Sequence, residues 1–218
     1  MEDFDVEPFR SAGRRLVIRQ VRRPTAVLGS TQPATVVDAD RVRRAGVEVV
    51  RRRSGGAAVL LLPSAQVWAD LWVPREDPLW SDEPRASAAL VGQWWARALG
   101  LDVCAVHVGK SVPRPGSDAV CFAGVGPGEV CVDGRKLVGL AQWRSRQGAL
   151  VHGCVYRSWD PEPLVGVLAM PEAARGALAT ALAGAAIGLE ELGLSGWPGD
   201  EALIEALPDA GSWDVVRA

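Results

Sequence analysis

Lysine is nearly missing from this chain. Of its 24 basic residues only Lys110 and Lys136 are lysines; the other 22 are arginines. A compositional preference for arginine accounts for most of that imbalance. A lysine kept against it still marks a place where a compact, mobile ammonium has no substitute in a guanidinium. An excess of charge of either sign is missing too. The net charge of −2 gives no electrostatic basis for binding nucleic acid or an anionic membrane surface. The four cysteines, Cys104, Cys121, Cys131 and Cys154, form no C-x-x-C pair and no metal-ligand spacing. With 48% hydrophobic residues the chain has core enough without a disulfide framework, so reduced thiols are expected. The start, Met1-Glu2-Asp3-Phe4-Asp5, is acidic and unlike a signal peptide. The longest apolar stretch, residues 176–189, is Ala/Gly-rich and too short to span a bilayer. A cytoplasmic location follows by elimination.

What is present reads as one α+β domain over residues 1–218, opening with an irregular arm at 1–14. Short β-branched runs predict strands at 16–20, 25–29, 47–50, 58–62 and 66–73. Helical spacing of Leu90, Val91, Trp94, Trp95 and Leu99 predicts a helix over 84–99, stopped by Gly100. A strand is expected at 103–108. The clearest local signal is Asp133-Gly134 between two strand-like runs of residues 130–138, the pair preferred by a type I′ hairpin turn. A third strand, 149–156, completes that sheet. Helices over 171–192 and 200–207 and a brief tail close the chain.

Three segments carry groups suited to chemistry. In Arg51-Arg52-Arg53-Ser54-Gly55-Gly56 the glycines let backbone N–H groups approach an anion that the arginines neutralise, and a solvated basic strand end explains the same residues. After the hairpin, strict alternation puts Lys136 on one face with Val138, Leu140 and Gln142, where its charge needs an anionic partner. Gly139 marks a place for close approach to the backbone. The third segment holds Asp118, a carboxylate at a loop end, and Cys121, either a nucleophile or a small buried hydrophobe. His107 reads as structural, whereas His152 lies on the strand after the hairpin, within reach of the same pocket.

In order, residues 26–32, Arg51-Arg52-Arg53-Ser54-Gly55-Gly56, Ser117-Asp118, Gly134-Arg135-Lys136-Leu137-Val138-Gly139-Leu140-Ala141-Gln142 and Val151-His152-Gly153 resemble the lipoate–protein ligase family. The resemblance implies a mixed sheet flanked by helices, as in biotin ligases and class II aminoacyl-tRNA synthetases. It implies ATP- and magnesium-dependent activation of lipoate or octanoate to an acyl-adenylate. The acyl group then passes to a lysine of a lipoyl carrier domain, on the E2 of a 2-oxoacid dehydrogenase or on the glycine cleavage H protein. By matched position, Lys136 contacts the acyl carbonyl and phosphate. Arg51, Arg52, Ser54, Gly55, Gly56, Gly139, Ala141 and His152 line the acyl and adenylate site, and Asp118 goes with magnesium. Val59, Val138 and Leu140 are placed along the fatty chain.

The chain departs from the family pattern in four ways. Ala57 stands where a third glycine is frequent, and Leu60-Leu61-Leu62 where a His-Asp pair is usual. No helix is evident before the first strands. A separate C-terminal accessory domain is not expected after residue 156, which leaves open a separate accessory subunit. Three readings therefore stand: the ATP-dependent ligase, taken first; an octanoyltransferase or lipoyl amidotransferase with Cys121 as nucleophile and no ATP; and a non-catalytic binder of acyl ligands or carriers.

Overall fold

The computed structural model describes residues 12–102, 105–208 and 212–218. Most of the predicted arm, and Cys104, lie outside them. Two sheets organise the rest. The larger, in the order β6-β7-β8-β5-β1-β9, comprises β1 (Arg14–Arg19), β5 (Gln66–Pro74), β6 (Val130–Val132), β7 (Arg135–Arg144), β8 (Gly148–Tyr156) and β9 (Trp213–Arg217). The smaller is β3-β2-β4, from β2 (Thr25–Leu28), β3 (Glu48–Arg51) and β4 (Val59–Leu61). Pairing is antiparallel except for β1 with β9 and β2 with β3, so both sheets are mixed. β5 and β8 are buried along their whole length, in keeping with their near-continuous apolar sequences.

Helix α2 (Pro84–Ala98) begins with proline, which suits a position whose N–H has no helical partner. Its apolar stripe of Val91, Trp94, Trp95 and Ala98 packs on the large sheet against Leu71, Val138 and Val155. Gly92 lets this helix touch the loop before β6: a Cβ there would sit 1.9 Å from the Gly128 carbonyl oxygen. Helices α1 (Ala39–Arg44), α3 (Glu162–Val167) and α4 (Glu172–Ala183) pack with the small sheet instead. The N-cap of α1 is Asp38, whose carboxylate accepts from the Asp40 and Arg41 N–H groups. α5 (Asp200–Glu205) returns to α2, where Leu203 accepts a hydrogen bond from Trp94.

Several elements differ from the sequence reading. The helix expected over 171–192 ends at Ala183. Residues 185–187 instead run along the edge of β7, where Ala185 accepts from the Lys136 N–H at 3.0 Å and Lys136 accepts from the Ile187 N–H at 2.9 Å. The Ala/Gly-rich window has helix propensity but no apolar stripe to anchor a longer helix, so the sheet edge wins. The expected tail is β9. The strand expected at 103–108 amounts, among the described residues, to a bridge between Val106 and Val130. The short helices α1 and α3 were not expected. Among the described residues no helix is long and apolar enough to cross a membrane.

Candidate active site

The hairpin forms as its sequence requires, with Asp133 and Gly134 at φ of 50° and 73°. Its register then departs from simple alternation. Val130 pairs with Val138 but Cys131 pairs with Lys136, so Leu137 is an extra residue, a β-bulge. Leu137 and Val138 both enter the core beneath α2, and Lys136 turns to the opposite face. It shares that face with Gly139 and Ala141, not with Val138 and Gln142. There Lys136 is 2% exposed, with Nζ 2.7 Å from the Glu129 carboxylate and 2.6 Å from the Cys121 carbonyl oxygen. It also lies over the Phe122 ring, 5.5 Å from its centroid.

Glu129 carries no signal in the sequence, where nothing in Gly-Pro-Gly-Glu ties it to a lysine seven residues on. It is buried and accepts three donors: Lys136, the Gly126 N–H at 2.6 Å and the Leu140 N–H at 3.1 Å. The Leu140 bond falls where the β6–β7 ladder stops, so the carboxylate continues the ladder as a side chain. An ammonium has three N–H donors, and two are taken. The third is left for the cleft of about 250 Å³ that Lys136 lines with Gly56, Ala57, Cys121 and Glu129.

The arginine–glycine turn forms another wall of this cleft. Arg51 donates to the carbonyls of Gly29 and Gln32 at 2.6 and 2.5 Å. Arg52, 1% exposed, donates to those of Val27, Gly55 and Ala57. Arg52 thus braces the turn from within, and Arg51 ties it to the loop after β2. Gly56 has φ of 89° and abuts Gly29, where a Cβ would lie 1.8 Å from the Gly56 carbonyl oxygen. Ala57 has no positive φ, so it tolerates the place of a glycine. Ser54 is buried, its Oγ without a hydrogen-bond partner among the described residues. Leu60 and Leu61 are core residues.

Between the two sheets runs a narrow apolar slot lined by Val59, Trp68, Phe122, Gly139, Ala141 and His152, with Arg52, Leu140 and Cys154 beside them. Cys121 lines both this slot and the Lys136 cleft. His152, 1% exposed, places Nδ1 2.6 Å from Asp70, its neighbour across the β5–β8 ladder. Asp70 is fully buried and also accepts from Arg19 at 2.5 Å and from the Trp68 indole at 2.6 Å. Burial pushes its carboxyl up, but the charges and hydrogen bonds of His152 and Arg19 outweigh this and hold it below its ordinary value. Burial raises the Cys131 thiol, and burial with the neighbouring Cys121 raises Cys154 well above the ordinary value. Both therefore stay protonated and poorly nucleophilic.

Asp118 is exposed at the end of its loop, with its backbone carbonyl accepting from Gln32. Among the described residues no group of three His, Cys, Asp or Glu side chains gathers to hold a metal ion. Arg51 and Arg52 direct guanidinium N–H groups to backbone carbonyls. His107 lies away from the cleft, its Nε2 2.9 Å from the Lys110 carbonyl oxygen.

Residues 9–184 match the family described as the lipoyl protein ligase A/B catalytic domain. An octanoyltransferase LipM of Moorella thermoacetica is 33% identical over 174 residues, covering 78% of this chain and 63% of that protein. Another, of Kyrpidia tusciae, is 33% identical over 155 residues, 68% of this chain and 56% of that one. The chain therefore spans less than two thirds of the length of these relatives. Among solved structures, a bipartite lipoate protein ligase from Thermoplasma acidophilum superposes with a TM-score of 0.67 at 19% identity, covering 94% of this chain and 74% of that one. A lipoate-protein ligase A bound with ATP gives 0.59 at 18%, with 94% and 75% covered. At these identities the structures speak to the fold, which is that of the lipoate ligases.

Proposed function

Because this chain belongs to the lipoyl protein ligase A/B catalytic-domain family, we propose that it transfers an acyl group by way of a thioester on Cys121, without ATP, to the lysine of a lipoyl carrier domain. One observation carries the reading: Cys121 stands at the junction of an apolar slot and the cleft of Lys136, whose Nζ is 2.6 Å from its carbonyl oxygen. The relatives named octanoyltransferase favour this reading over the ATP-dependent ligase that the sequence motifs put first.

The steps balance without a cofactor. The Cys121 sulfur attacks the carbonyl carbon of a donor thioester, the donor C–S bond breaks, and the donor thiol leaves with the proton that Cys121 gave up. The carrier lysine amine then attacks the acyl-Cys121 carbonyl; an amide forms and Cys121 regains a proton from the amine. In both steps negative charge grows on the carbonyl oxygen. The third N–H of Lys136, whose ammonium is held by Glu129, stabilises that charge. The slot takes the hydrocarbon chain.

Incubation with an octanoyl or shorter acyl thioester is expected to add one acyl mass to the protein, and Cys121→Ala to abolish the adduct. An adduct that persists in that variant would overturn Cys121 as the nucleophile, and pyrophosphate exchange with ATP, magnesium and octanoate would return the ligase reading to first place.

A further inference from the structure

We propose that the loop of residues 108–112, through Val108, Lys110 and Val112, is the surface on which the carrier domain docks to present its acceptor lysine. The inference rests on the thioester reading, because it concerns the second half of that reaction.

Among the described residues the large hydrophobics that stand exposed are Val108, at 76%, and Val112, at 45%. They lie four residues apart in one loop, with the exposed Lys110 between them. Lys110 is the second of the chain's two lysines, and the acyl-transfer steps make no use of it. Its ammonium has no ion-pair partner among the described residues. A single exposed valine is ordinary. Two valines flanking a cation at the edge of a reaction cleft form a patch with both an apolar and a charged part.

The loop is fixed beside the site. The His107 N–H donates to the Glu129 carbonyl at 2.8 Å, and the Gly128 N–H donates to that of His107 at 2.7 Å. The His107 ring, outside the cleft itself, has Nε2 2.9 Å from the Lys110 carbonyl oxygen. A Cβ on Gly109 would come within 2.9 Å of that ring, so the turn is folded closely onto the imidazole. Further on, Val112 and Val125 exchange backbone hydrogen bonds of 2.7 and 3.0 Å. Ser111, Val112 and Pro113 then form a wall of the Lys136 cleft. One end of the patch is thus tied to the residue that pairs with Lys136, and the other to the cleft. A surface already ordered in this way loses little freedom on docking.

The acceptor amine stands on a four-carbon stem. To bring it to the acyl group on Cys121, the carrier backbone has to come to the rim of the cleft, where this loop stands. A thioester donor on a longer flexible arm makes no such demand. A carrier surface with an apolar side chain and a carboxylate next to its lysine fits the two valines and Lys110.

The test uses the whole chain, loads Cys121 from octanoyl-pantetheine and follows three rates by intact mass. These are loading itself, release of the acyl group to Nα-acetyl-lysine amide, and transfer to an apo lipoyl domain of a 2-oxoacid dehydrogenase E2. Val108→Asp and Lys110→Glu are expected to leave the first two unchanged and to slow the third about tenfold or more. Lys110→Arg keeps the charge and should keep most of the transfer rate. Added salt should slow transfer by wild type more than by Lys110→Glu. Transfer to the lipoyl domain unchanged in Val108→Asp and Lys110→Glu, or a parallel fall of all three rates, would overturn the inference alone. Failure of Cys121 to load would overturn the proposed function, and this inference with it.

Discussion

Removing Lys136 tests two things at once, because its ammonium is the partner of a buried carboxylate. Lys136→Ala leaves Glu129 buried without its cation, which costs about 3–5 kcal/mol of stability for a pair this buried. Loss of activity in that variant would therefore confound chemistry with folding. Lys136→Met with Glu129→Gln removes both charges and keeps two acceptable shapes. It is expected to recover most of that stability in urea unfolding while acyl transfer stays abolished. A double variant no more stable than Lys136→Ala would show that the ion pair is not what the core depends on. This coupling also marks the limit of reading residues from sequence. The rarity of lysine and the motif around it singled out Lys136. Glu129 and Asp70 carry no such mark: one meets its lysine across a bulged ladder, the other meets His152 across β5 and β8, 82 residues apart. Arg51 and Arg52 stood out as anion binders by charge alone, and only the structure shows their guanidinium groups turned onto backbone carbonyls.

At the level of elements, local chemistry was readable where one short signal decides the outcome. Asp133-Gly134 made the hairpin, and the tryptophan stripe made α2. The bulge at Leu137 was hidden, because an extra residue leaves no trace within the apolar stretch Leu137-Val138-Gly139-Leu140-Ala141. β9 was hidden because a parallel edge strand draws its stability from a partner some two hundred residues away. Gly153 shows a motif residue whose role is packing. A Cβ there would stand 2.0 Å from the indole nitrogen of Trp95, so glycine is what allows α2 to press on β8. Gly153→Ala is expected to destabilise the fold by about 1–3 kcal/mol, as overpacking does. It should also slow acylation of Cys121, since His152 sits next along the same strand. A variant with unchanged urea midpoint would mean that α2 does not press on β8 here.

Across the whole molecule, the site lies in the seam between two sheets, and the seam buries groups that titrate at both ends of the pH scale. Asp70 is held below its ordinary value. Its stabilising contribution is therefore complete above the unfolded carboxylate pKa and disappears as pH falls through the lower folded one. Cys154 and Tyr156 run the other way. Burial raises both well above their ordinary values, with Cys121 adding to each and Arg52 partly opposing it at Cys154. Their contribution is complete below the unfolded pKa values and is lost as pH rises toward the folded ones, because the unfolded chain sheds those protons first. Stability should accordingly hold level between roughly pH 5 and 8 and fall on either side. Above about pH 9 the Cys154 thiol, and above about pH 10 the Tyr156 phenol, each costs about 1.4 kcal/mol per pH unit. Cys154→Ala removes one of the two and should shallow the alkaline limb by about that slope, read from urea unfolding at a series of pH values. An alkaline limb of equal steepness in wild type and Cys154→Ala would mean that the thiol is not held protonated, and that the seam is wetter than its packing implies.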